Sequence, residues 1–164
     1  MKNKYLLSLL WVIVSGFGIL MAQEIAIIPQ PAHLIVKNES FKFGKQLKVC
    51  IASYRGDSFK DDFQKATGIK VTSVRSEAKA GIVLSVNQTL APEAYKLDVS
   101  PKQIRIEAAR PAGFYYALQT LKQLISRHVM AGVAVGGRQE WSIPTVEIED
   151  VPRFEWRGFM LDEG

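Results

Sequence analysis

The side chains with the greatest capacity for chemistry stand close together near the end of this 164-residue chain. Arg157 carries several rigid, permanently charged N–H donors, which suit the neighbouring hydroxyl groups of a bound ligand. Asp162 and Glu163 are adjacent carboxylates, a residue type that serves in general acid–base chemistry. Arg157 could equally be the ion-pair partner of Glu155 or Asp162, and the residues around it do not separate the two roles.

The remaining reactive side chains are few and isolated. Cys50 is the only cysteine, which excludes an intrachain disulfide, and its alternating strand pattern predicts a structural thiol that is partly exposed. His33 and His128 are far apart and have no carboxylates at ligand spacing, so we expect surface histidines and no metal site. We expect no cofactor, because the glycine-rich stretch 130–138 lacks the Gly-Lys-Ser/Thr of a phosphate-binding loop.

Aromatic side chains are predicted to pack rather than to bind a ligand. Trp141 and Trp156 stand in apolar strand patterns, where packing in a core or between domains is more usual than stacking on a ligand. Tyr115 and Tyr116 fall within a strongly helical pattern and are expected to anchor that helix. Neither pair is therefore a candidate binding site.

The net charge of +5 arises from 21 basic and 16 acidic residues that are mixed along the chain. Lys60, for example, is followed directly by Asp61 and Asp62. No basic stripe alternates with aromatic residues, so the sequence predicts a solvated surface of mixed charge and no nucleic-acid partner.

Residues 1–22 have the order of a cleavable signal peptide. Lys2 and Lys4 form a short positive region, an uncharged apolar run follows, and Ala22 supplies a small residue before Gln23. The alternative is a membrane anchor, because the run approaches the ~20 residues that span a bilayer. Its serines and glycines, with no charge cluster after it, favour a signal peptide. We expect an exported chain, periplasmic or secreted, without lipidation or stable membrane insertion after cleavage.

Residues 23–149 are predicted to form one α+β domain, a strand-rich sheet packed by helices. A hairpin is predicted around Asn38-Glu39, and a second, antiparallel one joins residues 95–99 to 103–107. Further strands are predicted over 47–53, 69–74 and 81–86, the last being apolar almost throughout and therefore central. Helices are predicted from Ser58 to Gly68 and from Pro111 to His128, the latter with an apolar stripe of Phe114, Leu118, Leu121 and Ile125.

The segment after Pro152 does not have the pattern of a domain end. Phe159-Met160-Leu161 is an apolar run typical of a strand that is buried on both faces. Because such a strand needs neighbours on both sides, we expect a second domain to begin here and to be truncated after its first strand.

Three stretches resemble one enzyme family, the β-N-acetylhexosaminidases of glycoside hydrolase family 20. The run Val151-Pro-Arg-Phe-Glu-Trp-Arg-Gly-Phe-Met-Leu-Asp162 resembles the opening of the family's catalytic barrel. The run Gly113-Phe-Tyr-Tyr-Ala-Leu-Gln-Thr-Leu-Lys-Gln-Leu124 is similar to the helix of its N-terminal domain, and Ile28-Pro-Gln-Pro31 to its mature N-terminus. These stretches occur in the family's order and span nearly all of residues 23–164.

The resemblance implies an accessory α/β domain over 23–149 and the first strand of a (β/α)₈ barrel over 150–164. Such barrels run to about 250 residues, and the family's catalytic Asp-Glu pair lies well inside them. Asp162-Glu163 matches the end of the first strand, so no catalytic residue is expected in this chain. Arg157 matches the family's arginine that hydrogen-bonds hydroxyls of the terminal N-acetylhexosamine.

The implied function is the front portion of an exported β-N-acetylhexosaminidase. Such an enzyme removes terminal β-linked N-acetylhexosamine from glycans by substrate-assisted retaining catalysis. Its partners would be the glycan and the missing barrel of the same polypeptide, and the chain alone would be inactive. The alternative is a non-catalytic carbohydrate-binding or support domain of another glycoside hydrolase, because similar domains precede other barrels. Residues 152–162 favour the hexosaminidase.

Overall fold

The computed structural model describes residues 25–51, 57–125, 142–154, 156–158 and 160. The strands are β1 His33–Lys42, β2 Gln46–Ile51, β3 Lys70–Val74, β4 Ile82–Val86, β5 Tyr95–Val99, β6 Ile104–Ala108 and β7 Ser142–Asp150, and the helices are α1 Asp57–Thr67 and α2 Pro111–Ile125. The strands form one sheet in the order β1-β7-β5-β6-β4-β2-β3, and both helices pack against its apolar face. A strand-rich sheet packed by helices, as predicted, is therefore confirmed.

The sheet has a parallel half and an antiparallel half. The pairs β6–β4, β4–β2 and β2–β3 are parallel, whereas β1–β7, β7–β5 and β5–β6 are antiparallel. β4 lies between two parallel strands, and Ile82, Val83 and Leu84 are fully buried. The central strand predicted over 81–86 is thus confirmed, as is the β5–β6 hairpin.

Helix α2 covers the middle of the sheet with the stripe predicted from its spacing. Phe114, Leu118, Leu121 and Ile125 are all buried. The helix is described as far as Ile125, and its predicted continuation to His128 lies outside the described residues. Because this stripe faces the sheet, the flanking positions of α2 are left to form the wall of a cavity.

Helix α1 begins one residue before the predicted cap Ser58 and ends where the sequence predicts. Gly68 has a φ of 70° and donates its N–H to the carbonyl of Gln64 at 2.8 Å. Glycine adopts this left-handed conformation without a steric penalty, so it closes the helix. Phe59 and Phe63 then stack in the core with ring centroids 6.3 Å apart.

The hairpin predicted around Asn38-Glu39 is wrong. Residues 33–42 form the single strand β1, which pairs with β7 much later in the chain. A register shift between Val36 and Ser40 places the extra residues opposite Thr145. The Thr145 hydroxyl accepts the N–H of Glu39 at 3.2 Å and donates to the Glu39 carbonyl at 3.1 Å. The polar residues therefore form a bulge, because a side chain replaces the missing ladder bonds.

Strand β7 has no counterpart among the sequence predictions. Its Pro144 lies opposite Ser40, next to the bulge in β1, and beyond the last residue of β7 that pairs with β5. Proline has no backbone N–H to donate, but at this position no hydrogen bond to β5 is lost. Among the described residues after Asp150 none belongs to a strand. Of the predicted run Phe159-Met160-Leu161 only Met160 is described, and it is exposed. The first barrel strand stays a prediction.

The edge strand β3 is tied to α1 by two side chains. Gln64 accepts the N–H of Val71 through Oε1 at 3.0 Å, and Lys60 donates from Nζ to the hydroxyl of Ser73 at 3.1 Å. Residues 60 and 64 are one helical turn apart, and residues 71 and 73 lie on the same side of the strand. The spacing of the helix therefore matches that of the strand it covers.

Cys50 is buried, so its predicted partial exposure is wrong. It is 3% exposed and packs with Ala80 and Val83 on the sheet face opposite the helices. Its Sγ lies 3.5 Å from the carbonyl oxygen of Arg75. Ala80, directly after a short 3₁₀ turn, covers the thiol, which is a structural residue.

Several sequence predictions fall on residues that the structure does not describe. They concern the signal peptide over 1–22, the glycine-rich stretch 130–138, His128 and Trp141. Within the described ranges, no helix has the length and apolar character needed to cross a membrane.

We expect Gly113→Ala to destabilise the domain even though alanine favours helix. A Cβ at position 113 would lie 2.4 Å from the carbonyl oxygen of Ala94 and 2.8 Å from Cβ of Ala108, so α2 would have to move off the sheet. We expect the free energy of unfolding in urea to fall by about 1–3 kcal/mol. Gly44→Ala is the control, because its Cβ would meet the nearest atom at an ordinary 3.6 Å. Equal losses in the two variants would contradict this account of the helix–sheet contact.

Candidate functional site

An open cavity of about 650 Å³ lies beside α2. Its walls are residues 28–30 with Ala32, the side of α2 from Tyr116 to Gln123, the end of β7 at Asp150, and residues 151–154 with Arg157. Glu93, from the loop before β5, and Tyr95 complete it. The cavity contains Arg157, the binding residue predicted from the sequence.

The guanidinium of Arg157 is held by three parts of the chain. Nη2 donates to the carboxylate of Glu93 at 2.5 Å and to the hydroxyl of Tyr116 at 3.0 Å. Nη1 donates to the carbonyl of Phe154 at 3.1 Å. The guanidinium carbon also lies 5.5 Å from the centroid of the Tyr116 ring, within the range of a cation–π contact.

Among the described residues, the ion-pair partner of Arg157 is Glu93, which was not considered from the sequence. Glu155 and Asp162 lie outside the described residues, whereas Glu93 stands 64 positions away in the sequence. The hydrogen bond to Glu93 is the largest cause that raises the pKa of Arg157 above its already high value. The side chain is therefore a permanent cation.

Tyr116 reaches the cavity because of its position on α2. It lies between the buried stripe and the exposed side of the helix, and the neighbouring Tyr115 ring meets it edge-on at 5.8 Å. The sequence predicts only that these tyrosines anchor the helix. The same placement directs the Tyr116 hydroxyl and ring to Arg157.

The floor of the cavity is polar and buried. Tyr95 is 2% exposed, and its hydroxyl shares a hydrogen bond of 2.7 Å with that of Thr120 on α2. Burial raises the pKa of Tyr95 to about 12. The phenol is therefore neutral near pH 7 and acts as a fixed donor or acceptor at the base of the cavity.

Two side chains hold the N-terminal wall in place. Gln123 accepts the N–H of Ile28 at 2.8 Å and donates to its carbonyl at 3.0 Å, as a neighbouring strand would. Asp150 accepts the N–H of Ala32 at 3.0 Å. Ile27, between these anchors and the undescribed N-terminus, is buried in the core.

The other residues singled out from the sequence lie apart from this cavity or are not described. Asp162 and Glu163 are outside the described residues, and His33 is exposed at the start of β1. Trp156 is 84% exposed, so it does not pack in the core of this domain. Across the described ranges, no three His, Cys, Asp or Glu side chains are grouped so as to hold a metal ion.

The cavity has the chemistry of a positioning or binding surface. The carboxylates of Glu93 and Asp150 each accept a hydrogen bond from the protein, and the Tyr95 phenol is protonated. A permanent cation, an aromatic face and neutral hydroxyls can hold polar or hydroxylated groups in place. No side-chain arrangement in the sequence signals Glu93 as a partner, because it follows Pro92 in an irregular loop.

Comparison with known proteins identifies relatives of one kind. A model of glycosyl hydrolase family 20, domain 2, matches residues 24–151. A β-hexosaminidase of Vibrio furnissii is 30% identical over 142 residues, which are 86% of this chain and 22% of that protein. The chain thus spans about a fifth of the length of this relative.

Solved structures agree with the sequence match. A β-N-acetylhexosaminidase from Bacteroides fragilis superposes with a TM-score of 0.68 at 27% identity, over 81% of this chain and 26% of that one. An exo β-N-acetylglucosaminidase from Vibrio harveyi, solved with N-acetylglucosamine, gives 0.66 at 31% identity, over 80% and 20%. The family resemblance stated from the sequence is confirmed.

We expect the stability of the domain to fall as the pH rises from about 10 to about 12. The pKa of Tyr95 is about 12 in the folded chain and about 10 when unfolded, so unfolding releases its proton in this window. The loss should reach about 2–3 kcal/mol, measured by urea unfolding at several pH values.

Tyr95→Phe provides the control for this pH effect. It should be about 1 kcal/mol less stable than the parent near pH 8, because Thr120 loses its partner, yet it should lose less on the way to high pH. The raised pKa values of Lys37 and Lys96, each due first to a hydrogen bond with a glutamate, affect both proteins alike. Parallel curves for the two proteins would show that Tyr95 is not the group responsible.

Proposed function

Because this chain belongs to glycosyl hydrolase family 20 and matches that family's domain 2 over residues 24–151, we propose that it is the accessory domain of a β-N-acetylhexosaminidase. The family match carries the proposal. Relatives from Vibrio, Porphyromonas and Akkermansia are each named as β-hexosaminidases, and each matches this chain over only a fraction of its own length. We therefore propose the same catalytic function for the whole polypeptide of which this chain would be a part.

The proposed reaction removes a terminal β-linked N-acetylhexosamine from a glycan. A glutamate protonates the leaving oxygen, while an adjacent aspartate orients the substrate's own acetamido group for attack on the anomeric carbon. In this proposal both carboxylates belong to a (β/α)₈ barrel whose first strand begins near Phe154. Residues 1–164 then contain neither carboxylate of that pair.

The proposed organisation has three parts. A signal peptide over 1–22 directs export to the periplasm or beyond the cell, the accessory domain spans 23–149, and the barrel begins at 150. The N-terminal wall of the cavity supports the first boundary, since Gln123 and Asp150 hold residues 28–32 only a few positions after the proposed cleavage site.

Arg157 is proposed to hydrogen-bond the hydroxyls of the terminal sugar. In this domain its donors are directed to Glu93, Tyr116 and the Phe154 carbonyl. The Arg157 and Glu93 side chains are 41% and 38% exposed, so water screens their attraction and a partner exchange is not costly. These contacts use three of the five N–H donors of the guanidinium, so donors remain for a sugar hydroxyl while the Glu93 pair is kept.

A support domain of a different glycoside hydrolase is the second candidate. It is favoured by the exposed aromatic side chains Phe154 and Trp156, which suit contact with another domain. It would need a catalytic domain of another family after residue 150, whereas the relatives that match this chain are named as hexosaminidases. The first proposal is therefore the better supported.

We expect a protein extended to the length of these relatives to hydrolyse a chromogenic β-N-acetylglucosaminide, and the 164-residue chain to show no turnover. The physical reason is that the acid and the orienting carboxylate are both proposed to lie in the barrel. Release of the chromophore, followed by absorbance at equal protein concentration, measures this. Comparable turnover by the short chain would refute the assignment of catalysis to the barrel.

We expect Arg157→Lys in the extended protein to raise KM about tenfold or more, because lysine cannot present the planar fork to neighbouring hydroxyls. Arg105→Lys is the matched control. Arg105 forms a similar exposed pair with Glu77 at 3.1 Å but lies outside the cavity. An unchanged KM in the Arg157 variant would argue against a role in binding sugar.

A further inference from the structure

The charges that are mixed along the sequence are separated in the fold. β2, β3, β4 and β6 run parallel, so all four begin at one end of the sheet, whereas β7 ends at the other with Asp150. β1 runs opposite to these strands and therefore also ends where they begin, as does α1, which returns the chain from β2 to β3. Six exposed lysines lie at this end, which we call the lysine pole: Lys42, Lys45, Lys65, Lys70, Lys79 and Lys102.

Each of the four parallel strands begins beside one lysine of the pole. Lys70 is the first residue of β3, and Lys45 directly precedes β2. Lys79 ends the short 3₁₀ turn before β4, and Lys102 lies in the turn before β6. Adjacent strands are ~4.8 Å apart, which is less than the Debye length of about 8 Å at physiological ionic strength. Lysines on neighbouring strands therefore act together on an anion that crosses the strand ends.

The six lysines have no anionic partners within the domain. None of their side chains forms an ion pair or a hydrogen bond within the part of the chain that the structure describes. Two acidic side chains lie close to the pole, and both face Arg105. Glu77 pairs with Arg105 at 3.1 Å, and Asp98 lies opposite it in the β5–β6 register. The positive charge of the pole is therefore not neutralised by the described residues.

Two lysines in the antiparallel half of the sheet show the contrast. Lys37 on β1 is paired with Glu147, and Lys96 on β5 is paired with Glu149 at 2.6 Å. Both glutamates belong to β7, so these cations are matched by carboxylates on the neighbouring strand. The strands that begin at the pole offer no such carboxylate to its lysines, which leaves their charge available to a partner outside the domain.

The chemistry of the pole fits an extended polyanion. Lysine carries a compact charge on a flexible stem, so it attracts anionic groups without demanding one geometry. The large apolar side chains that are exposed in the described ranges lie elsewhere, on the first half of β1, near the start of α2, or before β1 and after β7. The pole therefore has no apolar side chain to insert into a membrane or aromatic ring to stack on a nucleobase. A polysaccharide with repeated carboxylate or sulfate groups needs only the row of charges.

We propose that the lysine pole binds an acidic polysaccharide, which carries carboxylate or sulfate groups, and so holds the protein on a charged glycan. The choice of a glycan among polyanions rests on the proposed function, because a hexosaminidase acts on glycan chains. The binding itself follows from the unpaired lysines. The pole also lies at the end of the sheet opposite Asp150, away from the point where the polypeptide leaves β7.

Titration calorimetry at several salt concentrations tests the binding, with heparin as the sulfated probe and hyaluronate as the carboxylated one. Lys70→Gln combined with Lys102→Gln should weaken the binding of both probes about fivefold or more at low salt. The slope of log affinity against log salt should also fall by about one to two, because each substitution removes one contact with an anionic group. Both positions are exposed, so the variant should keep its fold.

Arg75→Gln combined with Arg110→Gln is the matched control. It also removes two exposed positive charges, but at the opposite end of the sheet, where β3 ends and α2 begins. Affinity for both probes should stay within about twofold of the parent. Equal weakening in the two variants would show that only the net charge matters, and it would overturn the assignment to the pole.

A second measurement needs no variant. Acetylation of lysines by a small reagent should slow at least about threefold at Lys45, Lys70 and Lys102 when heparin is added to the parent protein. Lys37 and Lys96 should be modified at unchanged rates, because they are already paired with glutamates in another part of the sheet. Absence of protection at the pole, or equal protection of both groups, would contradict the proposal.

Further probes decide the class of partner. Dextran, a neutral polysaccharide, should not bind. Phosphatidylcholine vesicles containing phosphatidylglycerol, and a single-stranded oligonucleotide, should bind more weakly than a heparin fragment with the same number of charges. Tighter binding of the vesicles or of the oligonucleotide would overturn the proposal, by assigning the pole to a membrane or to nucleic acid.

Hydrolysis of the chromogenic substrate keeps the two proposals distinct, because this small molecule carries no acidic chain. If the extended protein is inactive but the Lys70 and Lys102 substitutions still weaken heparin binding, the pole stands and the glycosidase assignment fails. If the extended protein is active and those substitutions leave heparin binding unchanged, the glycosidase assignment stands and the pole fails.

Discussion

The packing of α2 on the sheet is the contact on which the rest of this domain depends. Its stripe is buried against β5, β6 and β7, and Gly113 allows the helix backbone to approach the end of the loop before β5. Because that distance is set by backbone atoms, the helix cannot rotate or rise without losing the core. Tyr116, Thr120 and Gln123 are consequently fixed along one wall of the cavity. The packing of the core therefore determines where the side chains of the cavity wall lie.

Local patterns predicted most of this fold, because the spacing of apolar residues is a local property. The stripe of α2, the glycine that ends α1 and the alternation in β5 and β6 all needed only neighbouring residues. The β1–β7 pairing could not be predicted in this way. Its bulge depends on the hydroxyl of Thr145, which is more than 100 positions from Glu39. The burial of Cys50 likewise depends on a turn some 30 residues later.

The candidate site was only partly predictable for the same reason. Arg157 was identified through the resemblance of residues 151–162 to a known family, since its immediate surroundings left two roles open. Glu93 and Tyr116 meet it only in the folded chain, across 64 and 41 positions of sequence. Neither carries a local signal, because a glutamate after a proline and a tyrosine in an amphipathic helix are both common. Family resemblance and geometry therefore supplied different parts of the site.

The two side chains of α1 that hold β3 have a consequence for how the domain behaves in a crowded solution. An edge strand normally offers unpaired backbone groups as a template on which a strand of another molecule can grow. Here an added strand would have to displace the Gln64 amide before it could bond to the N–H of Val71. The lysine on the preceding helical turn would also be brought against the newcomer. Helix α1 therefore covers part of this edge and disfavours the pairing of another strand with β3.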